Sequence, residues 1–197
     1  MARLAPVDMS DVPGLEEVHE FYSAMFGFVP NGLRIMARRP DIVKGFIQLR
    51  RAVVDPVTSE VPVEFKELIG HIASKTAGCR YCQAHTIFGA GRAGVSADRL
   101  KSIWEYRTSD LFTPAERVAL DLAVAASSVP NGVTDELMER VMEYWDEGHI
   151  VEIMAVVAMY GFLNRWNDSL ATPLEQASLD AADAALGSAG WHPGNHV

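Results

Sequence analysis

The chain has 197 residues, 49% of them hydrophobic and 22% charged, with a net charge of −9 and a pI near 5.1. That length supports one domain with a sizeable core. The acidic balance argues against nucleic acid, whose phosphates need a basic face, and against an anionic membrane surface. The opening MARLAPVDMSDVPGLEEVHE carries acids and prolines where an export signal needs an apolar core. The longest apolar run, IVEIMAVVAMYGFL, is too short to span a bilayer. A cytoplasmic protein with reduced thiols is therefore expected.

Helical periodicity runs through the chain. DVPGLEEVHEFYSAMF reads as an amphipathic helix ending near Gly27. NGLRIMARR follows Pro30 as a short helical piece. Pro40 sits at a tolerated first position, and DIVKGFIQLRRAVV continues at helical spacing. After the break at Asp55 and Pro56, VPVEFKELIGHIASKTAG places Phe65, Leu68, Ile69 and Ile72 on one stripe, with Gly78 as its stop. The next helix starts at the cysteine pair and runs to about Ala93. Ser96 caps SADRLKSIWEY. Thr113, Pro114 and Glu116 form a strong start signal for ERVALDLAVAASS. Thr134 caps TDELMERVMEYW, and Gly148 precedes IVEIMAVVAMYGFLNRW, read as a buried helix. LEQASLDAADAALG is the last helix. No stretch alternates with period two; VPVEF comes nearest. The expectation is an all-α, single-domain helical bundle over residues 1–197, with roughly the first 14 and last 10 residues loose.

Both cysteines fall in AGCRYCQAHT, as Cys79 and Cys82, with His85 just beyond. A disulfide closing so short a loop would restrict the unfolded chain little. Zinc would have Cys79, Cys82 and His85 but no fourth Cys or His at usual spacing. Haem attachment needs a histidine where Gln83 stands, and a thioredoxin-like site needs a βαβ context. Burial of the pair as small core residues is the bland alternative. At a helix start, unpaired N–H groups and the helix dipole favour a thiolate. His85 lies three residues past Cys82, on nearly the same face, where an imidazole can take the thiol proton. Glu64 and Glu67 precede the pair, and His71 follows Glu67 by four. Glu67 stands at the polar edge of the apolar stripe, placed to point inward as part of a proton relay. His71 is expected at a surface or edge.

EFKELIGHIASKTAGCRYCQAHT resembles the alkylhydroperoxidase D-like, carboxymuconolactone decarboxylase superfamily. The peroxidase branch of that family carries a glutamate twelve residues before a C-x-x-C, then a histidine; here these are Glu67, Cys79, Cys82 and His85. NGLRIMARRPDIVKGF and YGFLNRWNDSLATPLE also resemble peroxidase-related members, so the likeness covers roughly residues 15–176. It implies an all-helical fold that usually assembles as a homo-oligomer; for a thiol-dependent reaction no bound cofactor or metal is expected. It implies that Cys82 attacks the peroxide, Cys79 resolves the sulfenic acid to a disulfide, and His85 and Glu67 relay protons. An external dithiol or partner protein would reset the disulfide. This chain departs from the pattern twice: its histidine follows the second cysteine by three residues instead of four, and Tyr81 replaces a histidine between the cysteines. A lactone decarboxylase using Glu67 and His85, and a non-catalytic redox-sensing oligomer, are the alternatives.

Overall fold

Thr113 accepts the Glu116 N–H while the Glu116 carboxylate accepts the Thr113 N–H at 2.9 Å, the reciprocal cap that its spacing predicts. Comparable side-chain caps at Ser96, Thr134 and Asp146 start three more helices. The computed structural model describes residues 2–197. Among the described residues there are ten α-helices and no strand: α1 Glu16–Phe26, α2 Asn31–Met36, α3 Pro40–Val53, α4 Val63–Thr76, α5 Arg80–Arg92, α6 Ala97–Lys101, α7 Pro114–Ser127, α8 Asp135–Met142, α9 Glu147–Leu170 and α10 Gln176–Leu186. The all-α expectation holds. VPVEF is the entry to α4, not a strand, because Pro62 sets up its first turn.

α4 is the central helix. It packs against α5, α7 and α9, while α10 covers α5 and α3 lies along α9. Phe65, Leu68, Ile69 and Ile72 are all buried on α4, as the stripe predicts. No helix among the described residues is long and apolar enough to cross a membrane.

Both chain ends depart from expectation. Val7 N–H reaches the Arg34 carbonyl, and Met9 and Leu15 are buried. At the other end Trp191 and His196 are buried, and the His196 carbonyl accepts the Leu174 N–H at 2.8 Å. The tail is docked, not loose. Its glycines and prolines punctuate the chain, but one indole and one imidazole supply the burial that holds it.

An ion pair between buried Lys66 and half-buried Glu152 ties α4 to α9. Lys66 Nζ lies 2.6 Å from Glu152 on α9 and also donates to the Val53 carbonyl and to Ser59 Oγ. Glu152 accepts the Glu60 and Val61 N–H groups in turn. Burial alone would raise the Glu152 carboxyl, but those N–H groups and Lys66 hold it below its ordinary value. Glu152→Ala leaves the Lys66 ammonium buried and uncompensated, so it is predicted to cost about 3 kcal/mol in urea unfolding. The wild-type contribution is present in full above the ordinary carboxyl value, about 4.3. It is lost as pH falls through the lower folded value. Equal stability of Glu152→Ala and wild type at pH 7 would show that the pair holds nothing.

Candidate active site

α4 ends at Ala77, and Gly78 turns the chain with φ +79°, a conformation that disfavours any side chain. Cys79 then takes the N-cap of α5, its Sγ accepting the Cys82 N–H at 3.4 Å. The two thiols are free and buried, Cys79 at 0% and Cys82 at 2% exposure. The local spacing thus brings the pair together as expected. The expectation that the helix start lowers the Cys82 value is corrected. Burial, followed by the neighbouring Cys79, pushes the Cys82 thiol well up, against the opposing effect of the Asn167 amide, which donates to its sulfur at 3.5 Å. Desolvation outweighs the helix terminus at this depth.

Cys82 lines a cavity of about 100 Å³. Its walls are aromatic and aliphatic: Tyr22, Phe26, Phe28, Phe46 and Phe88, with Leu33 and Leu163. Arg50, Glu67, His85, Tyr160 and Asn167 supply polar groups to the same space. All of the sequence-predicted site residues except Cys79 line it, and Cys79 sits directly behind Cys82.

The carboxylates are wired differently from the relay that the sequence suggested. Glu67 lines the cavity beside Cys82 and His85, but its hydrogen bond comes from Tyr160 Oη at 3.0 Å. Burial pushes the Glu67 carboxyl up; Arg50, Tyr160 and His85 oppose this without reversing it. The carboxyl can approach because α5 has Gly89 there; a Cβ at that position would meet it at 3.0 Å. The His85 imidazole pairs with Glu175 instead, Nε2 to Oε2 at 2.6 Å. Glu175 also accepts the Tyr81 hydroxyl at 3.1 Å and the Asn31 N–H. Burial would raise the Glu175 carboxyl, yet the adjacent His85 and the Asn31 N–H hold it below its ordinary value. Tyr81, the residue between the cysteines, stacks on His85 with ring centres 4.3 Å apart.

Sequence reasoning did not single out Arg50, Tyr160, Asn167 or Glu175. Tyr160 and Asn167 are seven residues apart on α9, two helical turns, so polar residues recurring on one face of an apolar helix were the available signal. Glu175 falls in the first turn of the predicted last helix and is the N-cap of α10, and nothing local ties it to the cysteines.

His71 is corrected from an edge residue to a buried one, at 0% exposure. Its Nε2 accepts the Trp104 indole N–H at 2.9 Å, which puts its proton on Nδ1, facing Thr86 Oγ1 at 3.0 Å and the Gln83 carbonyl. It therefore braces α4 against α5. It is not among the groups lining the cavity.

The carboxymuconolactone decarboxylase family model matches residues 40–125. The solved structure of the debrominase Bmp8 is 34% identical, with TM-score 0.85, covering 92% of this chain and 97% of that one. A cysteine-to-alanine variant of the same debrominase, in complex with 2,3,4-tribromopyrrole, matches with TM-score 0.84 over 91% and 95%. An uncharacterized peroxidase-related protein from Silicibacter sp. shares the fold at 18% identity, with TM-score 0.77 over 86% of this chain and 90% of that one. The uncharacterized protein YnjA of Escherichia coli is 27% identical over 131 residues, 66% of this chain and 68% of its own length.

Burial of His71, aided by the Lys75 charge and against the opposing Gln83 hydrogen bond, depresses its value from 6.5 to about 3. The unfolded chain takes up this proton first, so the associated stability is complete above about pH 6.5 and is lost as pH falls toward 3. The His71 ring resonances are predicted not to titrate between pH 5 and 8. A midpoint near 6.5 by NMR would remove the buried-strut assignment.

Proposed function

Because the chain belongs to the alkylhydroperoxidase D-like, carboxymuconolactone decarboxylase superfamily, we propose that it is a dithiol-dependent hydroperoxidase with Cys82 as nucleophile. The observation that carries this reading is the placement of Cys82 in a small aromatic cavity with Cys79 immediately behind it at the cap of α5. Bound substrate would complete the exclusion of water from that space.

Cys82 loses its proton to His85 and attacks one peroxide oxygen. The O–O bond breaks, the sulfur becomes a sulfenic acid, and the departing alkoxide takes a proton to leave as an alcohol. Glu67, whose carboxyl is pushed up by burial, is suited to give that proton. Cys79 then attacks the sulfenic sulfur, water leaves, and the disulfide closes. An external dithiol returns the two electrons.

A second reading takes the same sulfur chemistry to a brominated heteroaromatic substrate, and the 34% identity to a debrominase favours it. Cys82 would take bromine from the ring as S–Br, the ring carbon would keep the electron pair and gain a proton, and Cys79 would expel bromide to form the disulfide. The aromatic walls suit a flat ring.

Stopped-flow peroxide consumption with a dithiol reductant tests the first reading. Cys82→Ser is expected to consume no peroxide. Cys79→Ser is expected to consume one equivalent and stop. Glu67→Gln keeps the shape and removes the proton, so turnover is expected to fall about 10²-fold. Bromide release from tribromopyrrole without peroxide turnover would move the assignment to the second reading. Carbon dioxide release from a γ-lactone would move it to the decarboxylases, and disulfide formation without turnover would leave a redox sensor.

Homo-oligomeric assembly belongs to the same reading, supported by Val151 and Phe162, which α9 leaves exposed at 68% and 41%. Light scattering that returns the monomer mass of 21.6 kDa at micromolar concentration would reject it.

A further inference from the structure

We propose that Glu175 is the positioning residue of the site, fixing His85 as the tautomer protonated at Nε2 so that Nδ1 receives the Cys82 proton. This rests on the reading of Cys82 as nucleophile and His85 as its base, but not on the identity of the substrate.

The argument starts from hydrogen-bond capacity. An ionised carboxylate only accepts, so a 2.6 Å contact between Glu175 Oε2 and His85 Nε2 requires the proton to be on Nε2. Glu175 Oε1 is saturated by two further donors, the Tyr81 hydroxyl and the Asn31 N–H. The His85 N–H and the Asn31 N–H keep the carboxyl ionised despite its burial. One nitrogen of His85 is thereby committed, and the remaining lone pair lies on Nδ1.

The carboxylate is itself held from both sides. The Asn31 side-chain amide donates to the Pro173 carbonyl at 3.0 Å, and the Leu174 N–H donates to the His196 carbonyl at 2.8 Å. The docked C-terminal tail and the start of α2 thus clamp the three residues ending at Glu175. Stacked Tyr81 fixes the plane of the imidazole. Other ionisable groups share the cavity: Tyr22 from α1, Arg50 from α3, Glu67 from α4, Cys82 from α5 and Tyr160 from α9. None of them hydrogen-bonds to His85, and Glu67 is engaged by Tyr160. Once the imidazole accepts the thiol proton, its positive charge lies against Glu175, which stabilises the thiolate–imidazolium pair in a cavity that otherwise penalises both charges.

Two measurements test this. In the wild type, long-range ¹H–¹⁵N spectra of histidine-labelled protein are expected to show the neutral His85 ring protonated at Nε2. A neutral ring protonated at Nδ1 overturns the proposal, and this measurement needs no variant to fold. In a Cys79→Ser background, the pH midpoint for alkylation of Cys82 is expected to rise by about one unit or more on Glu175→Gln, the scale of one lost charge partner. Glu175→Asp should recover part of that shift. Glu175→Gln should add nothing once His85→Gln is present. An unchanged midpoint in folded Glu175→Gln, or an additive shift in the double variant, overturns the proposal. Neither readout uses peroxide. A protein that behaves as expected here but consumes no hydroperoxide therefore sinks the hydroperoxidase reading and leaves the role of Glu175 standing.

Discussion

A thiolate inside an aromatic cavity is costly, and the organisation of the site follows from placing Cys82 there. The start of α5 and the Asn167 amide offset part of the cost, but the thiol is still pushed well up. A buried thiol of this kind reacts only if a neighbour takes its proton and the resulting positive charge is balanced in turn. The fold brings such groups in from four helices and the connection after α9. Glu67 is held by Tyr160 within reach of the Arg50 charge, and His85 is held by Glu175. The two carboxyl groups occupy separate hydrogen-bonded settings, so neither competes for the other's partner.

The scaffold supplies these positions through α4, which is buried on most of its faces and packs against three other helices. Its first turn is fixed by the Lys66–Glu152 pair, and its interior is braced to α5 by His71. The same rigid pairing orients Glu67 on α4 and Cys82 on α5. His71 does this as a neutral ring, with one nitrogen accepting and the other donating. A histidine close in sequence to the cysteines therefore serves packing, while the more distant-looking Glu175 serves the site.

Local chemistry was legible in the sequence, and long-range chemistry was not. The cap at Thr113, the apolar stripe of α4 and the cysteine pair at the start of α5 each depend on residues within one or two turns, and each stands where the pattern put it. Glu175 lies 90 residues from His85, at the cap of α10, where the helical pattern says nothing of a partner so far away. Its partners Asn31 and Tyr81 come from two other segments, and only the folded chain brings them together. The docked tail escaped for a related reason, since its glycines and prolines read as loose while Trp191 and His196 carry the burial. The Cys82 shift was misjudged because sequence shows a helix terminus but not the depth at which it lies.

Glu67, which lines the cavity, and Glu175, which pairs with His85, are pushed in opposite directions. Burial leaves Glu67 raised, a tendency toward the neutral acid, whereas His85 and the Asn31 N–H leave Glu175 lowered and ionised. Environments that separate two titratable groups in this way divide acid from base work. On the proposed mechanism the division is simple. Glu175 keeps its charge throughout and serves His85, while Glu67 carries the proton that the departing group needs. An alkoxide leaving from a peroxide takes that proton on oxygen, and a ring losing bromine takes it on carbon. The sulfur chemistry is common to both substrates, so the choice between them rests on the proton delivered by Glu67 and on the shape of the aromatic wall facing it, not on the cysteine pair.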